Sequence, residues 1–231
     1  MNEPLLSVTN LQVTVDDKVV VDQLSLELSA GETAFLMGAN GSGKSSLANV
    51  LLGNKEYRIS NIEEAKITFD GKDLLAMTTD ERAKAGLFVA WQNPVSIPGV
   101  SVFNLCKSSY EAMGNKIDSL TEFKKKLEEL AVKVGLTSKH IVRNINEGFS
   151  GGEKKRLELL QLLLLKPKLV VLDEIDSGID SEGIKMTVQT LNEMKKQGTS
   201  VILITHNKRL LDEVQADHTW EMKNGRLSTR V

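Results

Sequence analysis

The octapeptide Gly38-Ala39-Asn40-Gly41-Ser42-Gly43-Lys44-Ser45 stands directly behind the apolar run Thr33–Met37. It constrains the fold more than any other stretch of the chain. It fits G-x-x-x-x-G-K-[ST], in which the glycines let backbone N–H groups wrap a phosphate at a helix N-terminus. The pattern requires a buried strand before it and a helix after it. Thr33–Met37 reads as that strand and Lys44–Leu52 as that helix, stopped near Gly53. Lys44 is then expected at the β- and γ-phosphates of ATP, the Ser45 hydroxyl on Mg²⁺, and the loop residues, with Ser46, along the nucleotide.

A second feature gives the loop its counterpart. Leu169-Val170-Val171-Leu172 is a fully apolar strand ending in Asp173-Glu174. Asp173 can hold Mg²⁺ through a bound water, and Glu174 can orient or deprotonate an attacking water. A third feature, Phe149-Ser150-Gly151-Gly152-Glu153, opens a helix with a second phosphate cradle. One nucleotide is already served by the first loop. The second cradle is therefore expected to act in trans, in a two-fold dimer that holds each ATP between two copies. Ser177, Gly178 and Asp180 would lie along that seam. Gln92, after the apolar run that begins at Leu87, is a candidate metal and water contact. His206, after Val201–Thr205, is a candidate γ-phosphate contact.

Composition narrows the class. The 231 residues carry 29 basic and 31 acidic side chains, so no overall field draws nucleic acid or anionic lipid. The clusters Lys124–Lys126 and Lys154–Arg156 read as solvated helix faces. The single cysteine, Cys106, can form no internal disulfide and cannot alone hold an iron–sulfur cluster; it reads as a small buried hydrophobe. No apolar run approaches the ~20 residues of a membrane span. The expectation is a cytoplasmic protein without direct membrane insertion.

Along the chain, Leu5–Val15 and Val19–Leu28 read as strands joined by a turn at Asp16–Lys18. Further strands are expected at Ala65–Phe69, Leu87–Trp91 and Val201–Thr205, and further helices at Thr79–Ala85, Glu153–Leu165 and Ile184–Lys196. A capping box at Ser119–Glu122 precedes an apolar stripe from Phe123 to Val134, with a stop at Gly135.

Taken in order, the loop, Gln92, the Ser150 segment, Asp173-Glu174, Ser177–Asp180 and His206 resemble the landmarks of the ATP-binding cassette (ABC) ATPases across essentially the whole chain. The resemblance implies an α/β P-loop NTPase core with an antiparallel β subdomain and an inserted helical subdomain. It implies one ABC ATPase domain over 1–231, with 1–92 and 161–231 as the nucleotide-binding core and 93–160 as the helical part carrying the signature. One landmark departs: the aromatic residue that stacks on adenine in transport ATPases of the family falls near Val15. The wording of QNPVSIPGV (Gln92–Val100), INEGFSGGEKKR (Ile145–Arg156) and DEIDSGID (Asp173–Asp180) is similar to the SufC branch of the family. That similarity implies a soluble Mg-dependent ATP hydrolase serving iron–sulfur cluster assembly on SufB- and SufD-like scaffold proteins, docked through Pro94–Val100 and the helices beyond. The alternative is the nucleotide-binding subunit of an ABC membrane transporter, which would share every ATPase residue.

Overall fold

The computed structural model describes residues 3–90 and 94–230; Gln92 lies outside the described residues. In chain order the strands are β1 (Leu6–Val15), β2 (Lys18–Leu28), β3 (Thr33–Met37), β4 (Arg58–Ile59), β5 (Lys66–Phe69), β6 (Lys72–Asp73), β7 (Leu87–Ala90), β8 (Ile97–Ser101), β9 (Asn144–Ile145), β10 (Leu169–Asp173), β11 (Ser200–Ile204), β12 (His218–Lys223) and β13 (Arg226–Arg230). The α-helices are α1 (Lys44–Leu52), α2 (Thr79–Ala85), α3 (Val102–Ala112), α4 (Leu120–Lys133), α5 (Ser138–Val142), α6 (Gly151–Leu165), α7 (Ser181–Lys196) and α8 (Lys208–Glu213).

Two sheets organise these elements. A six-stranded sheet has the order β13-β12-β3-β11-β10-β7, parallel except for β13. An antiparallel sheet runs β2-β1-β5-β6, with β4 also paired to β1. The central strands of the first sheet are apolar throughout because both faces are covered. Side chains alternate between the faces. Val170, Leu172, Val201, Leu203 and Phe35 pack with α6, α7 and the 102–149 segment. Leu169, Val171, Ile202, Ile204, Ala34 and Leu36 pack with α1 and the antiparallel sheet.

Local chemistry fixes the joints. Val15 pairs with Lys18, and Asp16 and Asp17 both take positive φ (47° and 59°). That is the two-residue hairpin turn whose twist matches its strands. Asn224-Gly225, at φ 49° and 78°, turns β12 into β13 in the same way. Helix α1 ends at Gly53 as the sequence indicated. Its last carbonyls, Val50 and Leu51, accept hydrogen bonds from buried Arg82 of α2 at 2.7 and 2.9 Å.

Several elements depart from the sequence reading. Helix α6 starts at Gly151 rather than Glu153 and runs unbroken through position 160, joining the segment before it to the sheet. It is apolar nearly all round because it is nearly all buried. Helix α7 begins one turn earlier than expected, with Asp180 as its N-cap accepting from Gly183 N–H at 2.8 Å. At α4, Ser119 Oγ accepts from Glu122 N–H at 3.3 Å, which supplies the forward half of the expected box. The second basic cluster is a correction. Lys155 is 3% exposed and lies 3.2 Å from Glu158, while Arg156 donates to the Gly135 carbonyl at 3.0 Å. Both are drawn inward because α6 has no fully solvated face. Lys124–Lys126 are exposed as expected, and Cys106 is buried.

Candidate functional site

The carboxyl ends of β3, β10 and β11 converge on one edge of the parallel sheet, where α/β folds place their ligands. From β3 the chain enters the glycine loop. Gly38, Gly41 and Gly43 take φ of 143°, 78° and 109°. At two of them a side chain is excluded by neighbours as well as by backbone conformation. A Cβ on Gly38 would lie 2.2 Å from the Met222 carbonyl oxygen, and one on Gly43 would lie 2.5 Å from that of Val20. The loop is thus seated on β2 and on the β12–β13 hairpin. Gly225 N–H donates to the Ser42 carbonyl at 3.0 Å, which ties the Asn224-Gly225 turn to the loop. The sequence reading assigned neither support, although Asn-Gly is itself a hairpin signal.

Above the loop is a cavity of about 330 Å³ lined by Val20, Asn40, Gly41, Gly43, Lys44, Ser45, Ser46 and Glu174. Five of the loop residues named from the sequence and Ser46 therefore meet one residue of the acidic strand end. Lys44 is buried, and its Nζ donates to the Gly38 and Ala39 carbonyls at 2.7 and 3.0 Å. An ammonium has three N–H donors, so these contacts leave one for a ligand oxygen. Burial lowers the Lys44 pKa, and the charges of Asp173 and Glu174 act against that shift. Those carboxylates are thus near enough to feel the ammonium. Asp173 closes β10 and is buried. Glu174 follows at φ 50°, with its N–H donating to the Ile204 carbonyl at 2.9 Å. A positive φ on a glutamate is uncommon and turns the chain sharply off the strand.

Two hydrogen bonds of one threonine fix the neighbouring loop. Thr205 Oγ1 donates to Asp176 at 2.8 Å and accepts from Asn207 N–H at 2.9 Å. His206, between them, is exposed on the same sheet edge. Val20 is the apolar wall that sequence reading missed, since nothing marks it among the alternating residues of β2. Val15, the expected base position, lines a separate cavity of about 470 Å³ with Thr14, Asp16, Asp17, Glu56 and Arg58.

None of Ser150, Gly151, Gly152 or Glu153 lines the glycine-loop cavity. Ser150 instead caps α6 in a reciprocal box. Its Oγ accepts from Glu153 N–H at 3.2 Å, and Glu153 accepts from Ser150 N–H at 2.8 Å. The other Glu153 oxygen lies 3.1 Å from His140 Nε2. The Ser150 N–H first, then His140, hold the Glu153 carboxyl down at about 2. Ser150 and Gly151 remain exposed at the helix start, where the first N–H groups lack intrahelical partners. Beside them lies the exposed Ser177-Gly178 stretch. A Cβ on Gly151 would stand 3.9 Å from the Gly178 carbonyl oxygen.

Oxygen donors suited to Mg²⁺ are present: the Ser45 hydroxyl in the cavity wall and the Asp173 carboxylate near Lys44. Among the described residues no three His, Cys, Asp or Glu side chains converge as a metal cage. Mg²⁺ that sits on one or two protein oxygens plus phosphate needs none. Among the described residues, no helix is long and apolar enough to cross a membrane.

The ABC transporter family matches residues 21–177, from β2 to the loop after Glu174, and the chain belongs to that family of ATP-binding cassette ATPases. It is 40% identical over 231 residues to the "Probable ATP-dependent transporter ycf16" of Antithamnion sp., covering 98% of this chain and 90% of that one. It is 38% identical to the "Probable ATP-dependent transporter slr0075" of Synechocystis sp., covering 98% and 89%. Among solved structures it is similar to the dimeric post-hydrolysis state of the ATP-binding cassette MJ0796 bound to ADP and Pi, with TM-score 0.82 and 18% identity over 97% of each chain. That last likeness shows the fold, with its α/β cassette core.

Proposed function

We propose that the chain is a motor ATPase that closes around ATP as a two-fold dimer and serves a SufB- and SufD-like scaffold in iron–sulfur cluster assembly in the cytoplasm. One observation supports the dimer: the helix start at the exposed Ser150 and Gly151 is separate from the glycine-loop cavity, and in this reading each is half of a phosphate site. In this reading Gly38–Ser46 hold the triphosphate of one copy. Ser150, Gly151 and Gly152 of the other copy cover the γ-phosphate, with Glu153 fixing them through the capping box. Ser177, Gly178 and Asp180 line the seam. Lys44 neutralises phosphate charge, and Glu174 and His206 orient the attacking water. Ser45, Asp173 and Gln92 would hold Mg²⁺, which would supply charge stabilisation at the phosphates. The core 1–92 and 161–231 would carry the nucleotide, and 93–160 the signature.

The scaffold reading is supported by the wording of Gln92–Val100, Ile145–Arg156 and Asp173–Asp180. It is also supported by two exposed apolar side chains, Val95 (74%) and Ile97 (40%), in the segment expected to meet a partner. The single cysteine, Cys106, is buried, so in this reading the cluster ligands come from the partner. The second reading, a transporter subunit, is favoured by the printed names of the relatives.

Affinity capture of the intact protein from its native extract, in ATP with Glu174→Gln, separates the two. Soluble iron–sulfur scaffold proteins are expected; a membrane permease as the stoichiometric partner would overturn the scaffold reading. Lys44→Ala is expected to lose ATP turnover, and undiminished hydrolysis would show the site to be misplaced.

A further inference from the structure

Strands β8 and β9 join the segment after residue 93 to the approach to Ser150. Ile97 pairs with Ile145 and Ser101 with Asn144. Val102 N–H donates to the Arg143 carbonyl at 2.9 Å. Beyond the ladder, one residue grips the other segment twice. Asn146 Nδ2 donates to the Val95 carbonyl at 2.7 Å, and the Asn146 carbonyl accepts from Ser96 Oγ at 3.1 Å.

Asn146 is 6% exposed, and among the described residues its Oδ1 has no hydrogen-bond partner. A buried amide oxygen left unmatched carries a standing penalty that an apolar side chain would avoid. What an apolar side chain could not supply is the Nδ2 bond to Val95. The residue also takes φ 57°, which asparagine tolerates better than a branched or bulky side chain. Three residues later the chain is fixed again. The Phe149 ring meets His140 edge-on at 5.3 Å and the Arg143 guanidinium at 4.8 Å, and Ser150 caps α6. A push on Val95–Ile97 therefore has a short, braced route to the start of the signature helix.

We infer that Asn146 is a positioning residue that holds the Val95–Ile97 segment against the approach to Ser150, so that how Ser150 meets the nucleotide of the second copy depends on this tie. The inference rests on the composite site proposed above.

The test uses the full chain with Glu174→Gln as parent, and reads two constants: the affinity of the ATP-driven dimer by sedimentation, and ATP affinity in dilute monomer with a fluorescent ATP analogue. Asn146→Asp keeps size and left-handed tolerance but replaces the donor with a carboxylate facing the Val95 carbonyl. The bond is present in monomer and dimer alike, so its full value, about 3- to 10-fold, is the ceiling on the expected fall in dimer affinity, with monomer ATP affinity unchanged. Exposed Ser96→Ala, which leaves the buried residues intact, is expected to cost about 2- to 3-fold. It carries the test if Asn146→Asp fails to fold. A parent that dimerises while the variants match it overturns the role of Asn146 alone. A fall in monomer ATP affinity in step with dimer affinity overturns it too, since that is general loosening. A parent that stays monomeric overturns the composite site and this inference with it.

Discussion

Gly38 and Gly41 do different work in the loop, and alanine substitution separates them. Gly41 has φ 78°, and no heavy atom of the described residues lies within 4 Å of a Cβ placed there. Gly41→Ala then costs only the left-handed backbone, about 1–2 kcal/mol. Gly38 has φ 143°, and its Cβ would lie 2.2 Å from the Met222 carbonyl oxygen and 2.8 Å from Ser42 Oγ. The backbone term is about 1–3 kcal/mol. A backbone carbonyl cannot swing aside like a side-chain tip, so the strand or the loop must shift, adding about 1–3 kcal/mol. Gly38→Ala should therefore lose about 2–6 kcal/mol, a large share of a typical ~5–15 kcal/mol stability. The shift also displaces the Gly38 carbonyl that holds Lys44 Nζ at 2.7 Å. Urea unfolding followed by circular dichroism measures the stability of the nucleotide-free protein, and titration with a fluorescent ATP analogue measures binding. Gly38→Ala should be the less stable and should bind poorly even where it remains folded. Equal unfolding midpoints for the two variants would refute the seating of the loop on Met222.

The capping box gives a pH dependence. The Glu153 pKa is lowered from 4.5 to about 2, so its contribution is full above about 4.5 and disappears as pH falls toward 2. Glu153→Gln keeps an acceptor for Ser150 N–H but removes the charge, so it should lower the urea midpoint at pH 6 and flatten its fall between about pH 4.5 and 2; identical pH profiles would count against the box. Cys106, with its thiol pushed up to about 12 by burial, should resist iodoacetamide at pH 8 in the folded protein and react on unfolding. Rapid alkylation without denaturant would show that the helix packing around it opens.

Much of the site was legible because its residues serve backbone geometry and phosphate charge at fixed spacing. The loop, the strand before it and the helix to Leu52 follow from Gly38–Ser45 and the apolar run preceding it. The hairpin turn at Asp16-Asp17 and the stop at Gly53 are local signals and fall where the residues put them. The supports of the site were not legible, because they come from far along the chain. Nothing in the sequence says that Met222, Gly225 and Val20 seat the loop; only the sheet order, with β12 beside β3, brings them there. The charge of Lys154–Arg156 misled for a related reason. Its spacing describes a helix face, and tertiary packing decides that Lys155 on that face is buried against Glu158. Asn146 is ordinary in sequence and becomes informative only through its contacts with Val95 and Ser96.

The central claim is that one chain holds two half-sites and that ATP joins two copies. Multi-angle light scattering on Glu174→Gln, with and without Mg-ATP, tests it directly. A monomer near 25.4 kDa is expected without nucleotide, and a species of twice that mass with saturating Mg-ATP. Ser150→Arg, at the exposed helix start, should prevent that species from forming. A mass that stays monomeric at saturating Mg-ATP, with ATP bound, would contradict the account.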